Sequence, residues 1–279
     1  MHPDTMNILD QIIAHKRKEV AERSELVPVK LLEKSIYFDS KVVSMKKYIL
    51  REDKTGIIAE FKRRSPSKGD INPGASVETV TIGYMQAGAS ALSILTDQHF
   101  FGGKNEDLTL ARKFNFCPIL RKDFIIDEYQ ILEAKSIGAD CILLIAAALE
   151  PKRLSGLAEF AHSLGMEVLM EVHDLQELES SLNPHLDLVG VNNRSLKTFD
   201  VSLDTSFSLV DRIPNEFVKI SESGISEPET LIQLRNAGFQ GFLIGENFMK
   251  TSRPQQAALN FMNAYRNLLA LQKDIQVLP

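Results

Sequence analysis

The chain has 279 residues, 44% apolar and 25% charged, with a net charge of −5. That length suits one α/β barrel of ~250 residues with a short extension, and the acidic balance excludes a general attraction to nucleic acid or anionic membrane. No run approaches the ~18 apolar residues of a membrane span, Met1-His2-Pro3-Asp4 opens no signal-peptide core, and Cys117 and Cys141 show neither disulfide nor zinc spacing, so the cytoplasm is the expected location.

Residues 5–23 have a helical pattern, with Ile8, Ile12, Ile13 and Val20 on one face and Lys16, Arg17, Lys18 and Arg23 on the other. A second short helix is expected over 28–35. Periodicity allows this extension to cover either the bottom of the following domain or its active site. The first strand covers residues 56–62 and ends Glu60-Phe61-Lys62. A long polar loop follows from Arg63 to Ala75, and loops of that length in compact domains are often functional. A helix then runs from Ser76, its N-cap, to Ala87, with Gly88 as the stop.

Strand two covers 91–95, and its Gly-rich loop carries Phe100 and Phe101, suited either to covering an apolar ligand or to packing. Strand three (118–122) precedes a helix over 127–137. Strand four (141–145) holds Cys141, read as a buried small hydrophobe, and precedes a helix over 151–164. Strand five (167–171) precedes a helix over 174–181. Strands six, seven and eight cover 186–191, 217–221 and 241–244. Between the last two a helix starts near Glu227-Pro228, and a final helix covers 255–269. Apolar runs alternating with helices imply a parallel sheet buried on both faces. Eight such units imply an α/β fold of the (β/α)₈ TIM-barrel class. The chain reads as a single domain, with an N-terminal helical extension over 1–50 and the barrel over 51–279.

Active sites of such barrels lie at the C-terminal ends of the strands. Glu60 and Lys62 share parity at the end of strand one, so they point the same way. Lys122 ends strand three and Glu171 ends strand five. Odd strands share interior layers, so these groups converge into an acid–base set. Lys62, Arg63, Arg64, Lys68, Arg121, Lys122 and Arg194 gather at strand ends as a cationic mouth, which suggests a small anionic substrate. Taken singly, Arg63 and Lys68 read as solvated surface charge. Asn192 suits orienting a hydroxyl. Arg194 suits either binding a substrate carboxylate or clamping a loop carboxylate. Ser221-Glu222-Ser223-Gly224 and Gly245-Glu246 end strands seven and eight, where barrels often bind phosphate on backbone N–H groups. Glu246 fits beside a phosphate only with its side chain turned away.

The motifs Ile58-Ala59-Glu60-Phe61-Lys62-Arg63-Arg64-Ser65-Pro66-Ser67-Lys68-Gly69, Leu120-Arg121-Lys122-Asp123-Phe124-Ile125-Ile126-Asp127, Glu171-Val172-His173-Asp174, Val191-Asn192-Asn193-Arg194-Ser195-Leu196 and Ser221-Glu222-Ser223-Gly224-Ile225 resemble those of the indole-3-glycerol phosphate synthases of tryptophan biosynthesis. The resemblance extends from Ile8-Leu9 to about residue 265. It implies a lyase that closes the ring of 1-(2-carboxyphenylamino)-1-deoxyribulose 5-phosphate, giving indole-3-glycerol phosphate, carbon dioxide and water. By the same resemblance Lys122 is the general acid; a lysine donates a proton at neutral pH if burial or charge lowers its pKa. Glu171 and Lys62 handle proton transfer and dehydration with support from Glu60, while Asn192 and Ser223 contact substrate. The aromatic ring would lie among Pro66, Phe101, Phe124, Leu143 and Leu196. Phosphate would be held at Gly224 and Gly245, with Ser65, Ser67 and Lys62 helping and Glu246 nearby; Arg194 would meet the carboxylate. Decarboxylation restores aromaticity, so the resemblance implies no cofactor and no metal. The expected partner is a small anionic phosphorylated substrate, with no nucleic acid or membrane, on a monomer or weak homo-oligomer. The alternatives are a non-catalytic barrel that binds a phosphorylated metabolite, and a phosphoribosylanthranilate isomerase. The latter is expected to carry a Cys base where this chain has Glu60-Phe61-Lys62.

Overall fold

The computed structural model describes residues 7–196 and 198–277; Met1-His2-Pro3-Asp4 lies outside the described residues. Eight parallel strands close into a barrel in chain order. They are β1 (Ile57–Phe61), β2 (Ala91–Leu95), β3 (Ile119–Lys122), β4 (Cys141–Ile145), β5 (Glu167–Val172), β6 (Leu188–Asn192), β7 (Val218–Glu222) and β8 (Gly241–Ile244). β8 returns to β1 through the pairs Ile57–Phe242 and Ala59–Ile244. Alternation of side chains along the strands divides the core in two. Ile57, Ala59 and Phe61 face the helices. Ile58, Leu120, Leu143, Leu169, Leu188, Ile220 and Leu243 fill the barrel.

The helices are α1 (Ile8–Leu26), α2 (Val29–Leu32), α3 (Met45–Ile49), α4 (Val77–Ala87), α5 (Asn105–Phe114), α6 (Glu128–Ile137), α7 (Pro151–Ser163), α8 (Leu175–Ser181), α9 (Asp204–Leu209), α10 (Pro228–Ala237), α11 (Glu246–Met249) and α12 (Pro254–Val277). Local chemistry sets several of their ends. The Ser76 hydroxyl accepts from Thr79 N–H at the start of α4, and Gly88 closes that helix in the left-handed region. Asp127 and Gln130 form a reciprocal capping box on α6. Among the described residues no helix is long and apolar enough to cross a membrane.

Three expectations change. The segment after β1 is not wholly loop: Arg64–Ser65 and Gly69–Asp70 pair as a small antiparallel hairpin. Asn72 then ties it down, its amide donating to Met249 O at 3.2 Å and Thr251 O at 3.0 Å. β6 and β7 each extend one residue beyond the sequence reading, because Asn192 and Glu222 pair across the ladder while their side chains turn into the mouth. Arg121 is not part of that mouth. It faces outward, fully buried, and its guanidinium donates to Glu133 at 2.6 Å and Asp123 at 3.2 Å.

The extension covers both ends of the barrel. α3 closes the bottom, where Met45 and Ile49 join the interior cluster and Lys46 N–H donates to Glu167 at 2.9 Å. α1 lies over the top, and its Ile8 and Ile12 line the cavity there. Lys16 fastens it: the ammonium is fully buried between Asp123 at 2.9 Å, Asp97 at 3.0 Å and Glu19 at 3.0 Å.

Candidate active site

The odd strands each deliver one ionisable group to the top of the barrel: Glu60 from β1, Lys122 from β3, Glu171 from β5 and Glu222 from β7. All four line one cavity under α1, and the three carboxyls are buried. Lys122 Nζ donates to Glu171 Oε2 at 3.0 Å and lies 3.7 Å from Glu222 Oε2. Asn192 Nδ2 donates to the other Glu171 oxygen at 3.1 Å. Lys62 Nζ pairs with Glu60 Oε1 at 3.0 Å, and Ser93 donates to Glu60 Oε2 at 3.4 Å.

Burial disfavours charge on Lys122, Glu171 and Glu222, yet the outcome differs by neighbour. Glu171 is drawn down to about 2, because Lys122, His173 and the Asn192 amide outweigh its burial. Glu222 is pushed up to about 8: burial adds to the repulsion of Glu171 and Glu60, and the more distant Lys122 only partly offsets them. Glu222 Oε1 has no hydrogen-bond partner, as suits a neutral carboxyl. Lys122 is not lowered by its burial. Burial does act downward, but Glu171, Glu222 and Glu60 outweigh it and hold the ammonium above its ordinary range. Two neighbouring carboxyls with divergent pKa values suit an acid–base pair.

The fold makes room for these groups. Gly190 faces the interior of β6, where a Cβ would overlap Glu222 Oε1, and a Cβ on Gly245 would overlap the Glu60 carboxyl. Gly190→Ala is therefore expected to lower kcat by displacing the Glu222 carboxyl while the barrel stays folded, as checked by kinetics beside circular dichroism. Ser223 and Gly224 both occupy the left-handed region, at φ 68° and 78°, an uncommon conformation for serine that is often found at functional sites. Asn193 braces this turn, its amide donating to Ser223 O at 3.1 Å.

Of the residues named from sequence, Ser65, Pro66, Ser67, Phe101, Phe124, Leu143, Arg194, Leu196, Ser223 and Glu246 also line the cavity. Gly224 and Gly245 do not: they sit behind it and shape the backbone. Phe101 and Phe124 form one wall, with ring centroids 5.8 Å apart. Arg194 reaches Glu246 at 3.3 Å and so clamps a loop carboxylate. Arg63 turns away to pair with Asp107. Sequence reasoning missed Glu222, although it ends an odd strand like the others. Setting the strand end at Ser221 hid its inward parity. It also missed Ile8 and Ile12 as cavity wall.

The model for indole-3-glycerol phosphate synthase matches residues 9–261. The chain is 50% identical to an indole-3-glycerol phosphate synthase of Bacteroides thetaiotaomicron, covering 92% of this chain and 98% of that protein. It is 44% identical to another from Laribacter hongkongensis, covering 90% and 97%. Among solved structures, the thiamine phosphate pyrophosphorylase of Pyrococcus furiosus shares the fold, with a TM-score of 0.59 and 14% identity, covering 81% of this chain and 100% of that one.

Proposed function

The chain belongs to the indole-3-glycerol phosphate synthase family, and from that premise we propose how its residues close the indole ring. The substrate is 1-(2-carboxyphenylamino)-1-deoxyribulose 5-phosphate. Its aromatic ring lies against Phe101, Phe124, Leu143 and Leu196, with Pro66 at the edge. Its phosphate lies toward Ser65, Ser67 and Ser223, above the Gly224 and Gly245 turns. Arg194 exchanges its Glu246 contact for a substrate anion.

Ring closure joins the carboxyl-bearing ring carbon to the ketone carbon. Charge develops on the ketone oxygen, and Lys122 delivers a proton to it. A raised lysine pKa does not prevent this, because an alkoxide is a stronger base than an amine. Carbon dioxide then leaves, returning its electron pair to the ring. Dehydration needs a second proton on the same oxygen and loss of one from the adjacent methylene. Glu222, held neutral, supplies the former, and Glu171, held ionised, accepts the latter, with Lys62 and Glu60 balancing charge beside them.

The observation that supports this reading best is the buried Glu60–Lys122–Glu171–Glu222 set with its divergent carboxyl pKa values. It is tested by indole-3-glycerol phosphate formation from the purified substrate without added metal or cofactor. An alkaline fall in kcat near pH 8 is expected, as Glu222 loses its proton. No turnover despite tight substrate binding would instead favour a phosphometabolite-binding barrel.

Glu222→Gln tests the same assignment through stability. A carboxyl whose folded pKa lies above its unfolded value of 4.5 gives stabilisation that is complete below pH 4.5 and declines up to about pH 8. The amide variant lacks that decline. Its melting temperature relative to the native protein should rise across this window while kcat falls by ~10²-fold. A pH-independent difference would count against the raised Glu222 pKa.

A further inference from the structure

The reaction just described has a proton imbalance. The departing oxygen takes two protons to leave as water, the methylene returns one, and the substrate enters as a carboxylate. Each turnover therefore takes up one proton from solvent. The cavity where that proton is needed is covered by α1 and walled by Phe101 and Phe124, so a bound substrate blocks the direct way in.

A second cavity adjoins the first near the ends of β5 and β6. It shares Asn192 and Leu196 with the first and is lined by His173, Glu177, Asp174 and Asp10. His173 stands between the two. Its Nδ1 lies 3.1 Å from Glu177 Oε2, whose carboxylate also accepts the His173 backbone N–H at 2.8 Å. Its Nε2 points at Glu171 Oε1 from 3.5 Å and is buried without a hydrogen-bond partner. A buried polar atom without a partner is costly, and here it faces the carboxylate that accepts the Lys122 hydrogen bond.

We propose that His173 is a positioning residue that relays a solvent proton from the Glu177 side cavity to Glu171, and through Glu171 and Lys122 restores the proton that Glu222 spends in each turnover. The proposal rests on the reading of Lys122 and Glu171 as the proton-moving pair. After dehydration Glu171 holds the methylene proton and returns it to the neutral Lys122 amine across the 3.0 Å contact, which leaves Glu222 one proton short. The His173 imidazolium then transfers Nε2–H to Glu171 Oε1, Lys122 takes that proton and gives one to Glu222 Oε2 at 3.7 Å, and the neutral imidazole regains a proton from solvent on the Glu177 side. No electrons are exchanged, and Lys122, Glu171, Glu222 and His173 all return to their starting states. The surroundings suit a histidine that carries a proton. Glu171 on β5, Glu222 on β7 and Glu177 on α8 face it, with Asp174 and Asp10 lining the same cavity. Burial lowers its pKa, but the Glu177 hydrogen bond and the charges of Glu171, Glu177 and Glu222 outweigh burial and raise it.

The test is His173→Gln, assayed for kcat, KM and pH dependence with and without added imidazole. The relay predicts a fall in kcat of about tenfold with KM unchanged, a deficit that deepens as pH rises, and recovery in imidazole. An unchanged kcat, or a loss with an unaltered pH profile and no recovery, would overturn it. Glu171→Gln, measured in parallel, separates the two ideas. Full turnover in that variant would remove the underlying reading, whereas its inactivity beside a fully active His173→Gln would overturn the relay alone. If His173→Gln does not fold, Glu177→Gln carries the test: a smaller loss with the same pH trend supports the relay, and a loss without that trend overturns it.

Discussion

Lys122→Ala is expected to lower kcat by ~10²–10⁴-fold, the range for removal of a general acid, while the barrel stays folded and still binds substrate. The reason is position as well as charge. Lys122 is the one cation within 4 Å of both Glu171 and Glu222 among the described residues, at the centre of the buried set. Lys122→Arg sharpens the test. A guanidinium keeps the positive charge but does not give up its proton. If Lys122 acts by proton donation, both variants should be nearly inactive. If it only supplies charge, the arginine variant should retain much of the native rate. A binding barrel would lose little in either case. Product formation and KM, measured beside circular dichroism, decide among these outcomes.

Lys16→Met is expected to cost roughly 3–5 kcal/mol of stability, the range for breaking a buried ion pair from one side. The variant leaves Asp97 and Asp123 buried without their shared cation. Asp97 Oδ1 also accepts the N–H groups of Phe100 at 2.7 Å and Phe101 at 3.1 Å, and Asp123 Oδ1 accepts that of Phe124 at 2.8 Å. The lysine thus supports both rings of the aromatic wall, and KM should rise along with the loss of melting temperature. The pH dependence has a definite sign. Burial pushes Asp123 upward, but Lys16 and Arg121 outweigh it and hold the carboxyl well below its usual range. Its stabilisation is therefore present above the unfolded value of ~3.9 and is lost as pH falls below it. The native protein should lose stability in acid more steeply than the variant. An unchanged melting temperature would mean that the cluster does not hold α1 in place.

The strand-and-helix alternation was legible because each apolar run is short and bounded, and because caps such as Ser76, Asp127, Gly88 and Gly138 announce helix ends locally. The site was legible at Glu60, Lys122 and Glu171, since charged residues closing apolar strands have few places to go except the barrel mouth. Glu222 was obscured by a one-residue uncertainty in the end of β7, which reverses the face a side chain occupies. Arg121 shows the converse. Next to Lys122 in sequence, it points to the opposite side of the sheet and belongs to the Glu133 and Asp123 cluster behind the strands.

By itself the sequence determined the barrel, the order of its strands, the family and most of the groups at the mouth, because these follow from local periodicity and short contiguous motifs. Only the tertiary structure decided the rest. It placed α1 over the mouth and α3 under the barrel, since both positions satisfy the same amphipathic pattern and the choice depends on distant partners such as Asp97, Asp123 and Glu167. It also separated Glu171 from Glu222. The two are identical side chains, and their protonation depends on how near each lies to Lys122 and on which of them Asn192 and His173 reach.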